Sequence, residues 1–303
     1  MRNLDRKSLA VLVIAYKRIY NTKTILDFSY SQGIRKFYIC IDGPKDSNFD
    51  TQNQFQDMIS SFSLNYGIDI KTKFSKYNLG CAQSVINGID WAFNFEEDLI
   101  ILEDDCLPGG DFFSFMKASL SYISANSQVK LASGSQLLEL NQIDPWYLSK
   151  YPILWGWATN KKNWSEIMVE VFNGKNLMKG WHLKRFYSSD YAFWFSGAYR
   201  ALNKSIDTWD LPIAFWAQKN NYYTIHPAKN YIRNVGNDEY AVHTDFGSQI
   251  VNLANNFSFE YKQEIPKFRS DIDSLYKDFI FHIRKRHIIS TFFTRLLDLI
   301  HIN

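Results

Sequence analysis

The first third of the chain is punctuated by short apolar runs that end abruptly in charge or in turn-forming residues. "LAVLVIAY" (residues 9–16), "KFYICI" (36–41) and "DLIIL" (98–102) are nearly continuous and rich in aliphatic and aromatic residues. Runs of this kind, without strict alternation, are what strands covered on both faces look like. Such strands belong to parallel sheets flanked by helices. Between the runs lie segments with helical spacing: Ile25, Phe28 and Ser29 up to the breaker Gly33, then residues 51–62, then Val85, Ile89, Trp91 and Ala92. Residues 17–24 are polar and read as a connection, and a further strand is expected at 68–74. Strand and helix alternate four times in the first 105 residues, which predicts a Rossmann-like open α/β sheet.

In sheets of this class ligands collect outside the carboxyl ends of the strands. Those ends carry Lys17 and Arg18, Asp42 and Gly43, and the unbroken triplet Glu103, Asp104 and Asp105. Adjacent carboxylates at the mouth of a buried strand repel one another unless a cation stands between them. A hard divalent ion suits them, since Mg2+ and Mn2+ take oxygen ligands and keep bonds to water and phosphate. Successive side chains on an extended segment point to opposite sides, so the three acids do not all face one ion. The alternative is a helix N-terminus with acids in its first turn and "PGGD" as its cap region.

The chain has 303 residues, 46% hydrophobic and 21% charged, as expected for a globular protein with a sizeable core. A net charge of +3 fits a phosphorylated ligand or an anionic surface and falls short of a nucleic-acid footprint. Three cysteines, Cys40, Cys81 and Cys106, lack metal or disulfide spacing and point to a reducing compartment. The short apolar run after the basic start predicts neither a signal peptide nor a membrane span, hence a cytoplasmic protein.

Several stretches together resemble GT-A sugar-nucleotide glycosyltransferases, in a bacterial branch similar to N-acetylglucosaminyltransferase I. They are "VLVIAYKR", "ICIDG", "NLGCAQSVINGIDWAF", "LIILEDDCLPGGDFFSFM" and "LWGWATNKKNWSEI", which occur in the same order between about residues 9 and 245. The segment from the acidic triplet to "DFF" is the specific part. The resemblance implies a GT-A catalytic domain over residues 1–263. Residues 1–130 would bind the nucleotide sugar and residues 131–263 the acceptor, followed by an amphipathic helical tail at 264–303.

It also implies an enzyme that uses a nucleoside-diphosphate sugar, expected to be UDP-linked, with Mn2+ or Mg2+. Carried over by position, Asp105 would hold the metal, Asp104 would meet the ribose and Glu103 the donor sugar. Arg18 would face the diphosphate, where a guanidinium matches phosphate oxygens. Asp42 would accept from the base or ribose. Asn78 and Gly80 would bring backbone N–H groups near the nucleotide, unless Asn78 simply caps the next helix. In "DTWDLPIAFW", Asp210 is the candidate base for an inverting displacement, with Asp207 as fallback. Asp210 also fits as the N-cap of a helix starting near Pro212, and retention stays open. His243 in "NVGNDEYAVHT" is a candidate metal ligand.

The rings of Trp155 and Trp157, around Gly156, suggest a platform for a sugar, although Asn160 stands where Trp is common in the family. The implied acceptor is a hydroxyl of a bacterial surface glycan, such as an O-antigen or capsule unit, with a lipid-linked form included. Leu275, Phe279, Ile283, Phe292, Leu296 and Leu299, with "RKRH" at 284–287, describe a basic amphipathic tail. Such a tail suits the cytoplasmic face of an inner membrane or a helix docked on the core. A nucleotidyltransferase would need a glycine-rich phosphate loop where this chain reads "AYKRIYNTKT". The remaining classes are a non-catalytic binding module, which would bind donor without turnover, and a membrane-attached scaffold, which would tolerate changes to the triplet.

Overall fold

The computed structural model describes residues 8–46, 48–140, 144–173, 189–236 and 265–284. Its centre is an eight-stranded sheet in the order β3-β2-β1-β4-β8-β6-β9-β7. Here β1 is Ala10–Ala15, β2 Lys36–Ile41, β3 Ile70–Phe74 and β4 Asp98–Glu103. These four pair in parallel. The second half of the chain continues the same sheet. β8 (Trp157–Asn160) runs against β4, and β6 (Val129–Ser133) and β9 (Tyr223–Pro227) resume the first direction. β7 (Trp146–Ser149) closes the edge in the antiparallel sense. The expected α/β architecture is therefore the one found.

The apolar runs explain why the first strands are buried on both sides. On one face Val11, Val13, Phe37, Ile39, Ile100 and Leu102 pack against α1 (Ile19–Ser31), α2 (Asp50–Tyr66) and α4 (Phe112–Ala125). On the other, Leu12, Ile14, Tyr38, Leu99 and Ile101 pack against α3 (Cys81–Ala92), α5 (Lys161–Ile167), α6 (Ser189–Leu202) and α7 (Asp210–Lys219). Each fully buried aliphatic side chain of this kind contributes about 1.5–3 kcal/mol relative to exposure.

One local expectation is corrected, and one alternative is set aside. The residues read as a connection after β1 are helical from Ile19 onward, where α1 begins. Thr22 is buried, and its hydroxyl donates to the carbonyl of Arg18 at 3.0 Å. The acidic triplet does not open a helix. The chain turns after Glu103 into the short strand β5 (Cys106–Pro108), which pairs with β10 (Ile232–Asn234).

After the last gap, residues 265–269 run along β7, with Leu148 and Phe268 bridged, and lead into α8 (Ser270–Arg284). Ile272 and Tyr276 are buried, while Leu275, counted on the apolar face, is 49% exposed. The start of the tail is thus docked on the core through a face one residue away from the expected one. The other apolar and basic tail positions lie outside the residues whose side chains are described. Among the described residues, no helix is long and apolar enough to cross a membrane.

Candidate functional site

The register of the parallel strands brings the site together. Ile14 lies beside both Cys40 and Glu103, so β1, β2 and β4 end at nearly the same level. The N–H of Asp42 reaches the carbonyl of Ala15, and that of Asp104 reaches Ile14, both at 3.0 Å. The ladder therefore continues one step beyond the strands and delivers both carboxyl groups to one edge.

Asp104 is buried and closes that edge. Its Oδ2 accepts from the N–H groups of Tyr16 (2.9 Å) and Arg18 (3.4 Å), and its Oδ1 from Arg18 Nη1 (2.9 Å). Arg18 and Asp104, expected to meet different parts of one ligand, form an ion pair with each other. Asp42 makes a second such centre. It accepts from the N–H groups of Gly43 (2.8 Å) and Leu79 (2.9 Å) and from Asn78 Nδ2 (3.0 Å). Burial pushes the Asp42 carboxyl up, and the Leu79 and Gly43 N–H groups pull it part of the way back. Asn78 is not the helix cap: its amide locks the 77–79 segment onto Asp42 and the carbonyl of Gly43 (3.0 Å).

Beside these groups is a cleft of about 150 Å³, lined by Tyr16, Lys17, Asp42, Lys45, Thr51 and Gln52 among others. The Tyr16 hydroxyl is buried without a hydrogen-bond partner among the described residues. Gln52 spans the carbonyls of Asp42 and Ser75. Tyr16, Lys45 and Gln52 were not picked out from sequence, and Lys17 was noted only as a residue at a strand end. Only their nearness to a strand end would have marked them.

A short distance on, Glu103 and Asp105 form a different environment. Burial pushes the Glu103 carboxyl well above the usual carboxylate range, and Asp105, Asp210 and Asp104 push it further. A hydrogen bond from the Trp209 side chain works in the opposite direction. Asp105 is raised by burial and by Asp104, with the Cys106 thiol and Arg18 opposing. The Cys106 Sγ–Asp105 Oδ1 distance is 3.2 Å. Backbone from the β10 side closes over Asp105: Val235 N–H donates to its carbonyl at 2.8 Å, and a Cβ on Gly236 would lie 2.4 Å from its Oδ2. Gly236 belongs to the "NVGN" stretch, which in sequence was singled out only for His243 after it.

Asp207 and Asp210 come from the start of α7 and the loop before it. Asp210 is the first residue of that helix, and Trp209 occupies the cap position. Asp210 Oδ1 accepts from Leu211 N–H at 2.8 Å and from the Thr208 hydroxyl. Asp207 turns away toward α3, whose first N–H groups it binds. The Cys81 and Ala82 N–H groups, next after Gly80, are therefore engaged by a carboxylate of the protein itself. After burial, Glu103, Asp207, Asp210 and Asp105 all raise the Cys81 thiol at the start of α3.

Trp157 is buried and stacks on Trp209 with centroids 5.4 Å apart, so it serves the core rather than an open platform. Trp155 is partly exposed. Gly156 holds φ +57° under Ile232, whose Cδ1 would lie 2.3 Å from a Cβ there. Asn160 caps α5 by accepting from Asn163 N–H at 2.8 Å. His243 lies outside the described residues. Among the described residues, no three His, Cys, Asp or Glu side chains converge as a ready-made ligand set for a metal.

No family model matches the sequence, and no curated protein matches it. Among solved structures, the chain is similar to the mannosyltransferase PcManGT from Pyrobaculum calidifontis, in complex with GDP-Man and Mn2+. That likeness has 13% identity and a TM-score of 0.31, and covers 42% of this chain and 36% of the mannosyltransferase. It is also similar to an apo UDP-glucose pyrophosphorylase, at 12% identity and a TM-score of 0.39, over 72% of this chain and 90% of that one.

Proposed function

We propose that the chain is a metal-dependent glycosyltransferase. It would move a sugar from a nucleoside-diphosphate sugar, UDP-linked in this reading, to a hydroxyl of a growing bacterial surface glycan. One observation supports this most strongly. Glu103 and Asp105 stand at the end of a central parallel strand, and Trp209, the neighbour of Asp210, hydrogen-bonds Glu103. They lie at the same strand-end edge as a polar cleft bearing Lys17, Lys45 and Asp42.

In this reading the nucleoside occupies the cleft, with Asp42 and Gln52 as polar partners and Tyr16 as a wall. Asn78 acts through Asp42, and Gly80 acts through the start of α3. Arg18 faces the diphosphate. Asp104 fills three of the roughly four acceptor positions of a carboxylate with the Tyr16 N–H, the Arg18 N–H and Arg18 Nη1. The remaining position is left for a ribose hydroxyl.

A hard cation needs only one or two protein carboxylates when phosphates and water complete its shell. The absence of a three-residue cage among the described residues is compatible with that arrangement. Asp105 is the residue that would hold the ion, and a partly desolvated carboxylate under like-charge pressure is a fitting donor. His243 is the proposed second ligand. When bound, Mn2+ or Mg2+ would neutralise the leaving diphosphate.

Glu103 orients the donor sugar. Asp210 takes the proton of the acceptor hydroxyl as its oxygen bonds to the anomeric carbon. The bond from that carbon to the diphosphate breaks, the nucleoside diphosphate leaves and the configuration inverts. Membrane contact through the tail belongs to the same proposal, since a lipid-linked acceptor would be met at the membrane surface.

The test is product release from a panel of UDP-, GDP- and dTDP-sugars with Mn2+ and with EDTA, in the presence of simple glycoside acceptors. Metal-dependent, donor-selective release of nucleoside diphosphate is the expected result. Release of pyrophosphate from nucleoside triphosphate and sugar phosphate would move the chain to the nucleotidyltransferases. Donor binding without any release would make it a binding module.

A further inference from the structure

Asp207 ties the two halves of the molecule together at the site. Its Oδ2 accepts the N–H of Cys81 at 2.8 Å and its Oδ1 that of Ala82 at 2.9 Å, from 126 and 125 residues away along the chain. Helix α3 has no side-chain cap of its own, since Gly80 stands at the cap position with φ +80°. A Cβ on Gly80 would lie 2.6 Å from Asp207 Oδ2, so a side chain there would collide with the carboxylate. Helix caps normally come from the adjacent residue. This one crosses the fold, and as a charged acceptor on two N–H groups at the positive end of a helix it belongs to the stronger class of hydrogen bond.

The residues directly after Asp207 are the ones that matter for chemistry. The Thr208 hydroxyl donates to Asp210, the Trp209 side chain bonds Glu103, and the Trp209 ring is stacked on Trp157. One carboxylate therefore anchors the start of a four-residue segment that carries the base candidate and the partner of the sugar-orienting acid. We propose that Asp207 is a positioning residue for transfer. By holding segment 207–210 on the N-terminus of α3, it fixes Asp210 and Trp209 relative to Glu103. Both of its oxygens are engaged by backbone N–H groups, which fixes its orientation toward α3. The inference rests on the transferase reading above.

The experiment uses the full chain and the donor that gives the fastest nucleoside-diphosphate release. Misplacement by a fraction of an ångström costs about tenfold or more in rate. Asp207→Ala is accordingly expected to lower kcat by about tenfold or more, with donor KM changed by less than about twofold. Asp207→Asn keeps one acceptor oxygen and recovers part of the loss. If the alanine variant fails to fold, the asparagine variant carries the test, with a kcat reduced by about threefold or more at unchanged KM. Gly67→Ala strains the left-handed end of α2, at the opposite end of the sheet, and controls for lost stability. Its kcat should match the unaltered chain well below its Tm.

Hydrogen exchange supplies a readout independent of turnover. The Cys81 and Ala82 amides and segment 207–211 should lose protection together in Asp207→Ala. Unchanged kcat or unchanged protection in that variant overturns the inference, and so does an equal kcat loss in Gly67→Ala. No release by the unaltered chain from any donor overturns the transferase reading and this inference with it. That result is distinct from turnover that ignores Asp207.

Discussion

Two clusters of buried polar side chains flank the sheet, and they are built on opposite rules. Under α8 the groups satisfy one another. Gln136 Nε2 donates to the Tyr147 hydroxyl at 2.6 Å, Tyr276 donates to Gln136 Oε1 at 2.7 Å, and Ser149 donates to Asp273. At the end of β4 the groups oppose one another. Glu103 and Asp105 are both raised by burial and by neighbouring acids, with Arg18 already paired to Asp104. A satisfied network holds a fold together, and a frustrated one marks a candidate site. The comparison sets a structural network against the site proposed for transfer, and it can be broken by variants that cross that division.

The largest effect belongs to the frustrated cluster. Asp210→Asn should lower kcat by about 10²–10⁴, the usual worth of a general base, with little change in Tm. The amide oxygen can still accept from Leu211 N–H, so a fall in Tm matching the loss of activity would make Asp210 a structural residue.

Tyr276→Ala should do the reverse. Emptying a fully buried aromatic site costs about 3–5 kcal/mol, or roughly 10 °C in Tm, while kcat measured well below Tm stays put. A selective loss of kcat would place the α8 network in the active centre.

The satisfied cluster also contains an offset that pH can expose. Burial lowers His226 to about 4, so the native state resists a proton that the unfolded chain accepts near 6.5. That contribution to stability is lost as pH falls from about 6.5 to 4, and amounts to about 3 kcal/mol. Burial raises Asp273 to about 6, so the native state binds its proton before the unfolded chain does. That contribution rises as pH falls through the same window. Asp273→Asn removes the second and leaves the first, so its Tm should drop more steeply than that of the unaltered chain between about pH 6 and 4. Parallel Tm curves would contradict the assignment.

The smallest effect is the most pointed one. Glu103 has a raised folded-state pKa, so its ionised form is disfavoured in the fold and stability falls as pH rises through that pKa. Glu103→Gln should flatten this fall and raise Tm by about 1–3 °C above neutral pH, while turnover drops. A lower Tm would mean that Glu103 is held by favourable contacts and is no frustrated group.

The strand framework was legible because continuous apolar runs leave few alternatives. Residues 36–41 are β2 as read, and the strand ends carry the acids where doubly wound sheets keep their ligands. The pairings at those ends were not legible. Nothing local tells Asp104 to take Arg18, Asn78 to hold Asp42, or Asp207 to cap a helix 126 residues earlier. Each depends on which loops the sheet order brings together. Trp209 illustrates the limit: in sequence it only marked the aspartate beside it, and in the fold it bonds Glu103 and stacks on Trp157. The docked face of α8 was missed by one position because Ile272 and Tyr276 were not counted and the exposed Leu275 was.

The most direct test of the central claim is calorimetric titration of UDP, GDP and dTDP into the full chain with Mn2+, repeated in EDTA and with Asp105→Asn in Mn2+. If the end of β4 is a cation site completed by phosphate, one nucleotide should bind clearly better than the others in Mn2+. Its affinity should fall by about tenfold or more in both other titrations. Equal affinity in all three, or no binding of any nucleotide in Mn2+, would contradict the account.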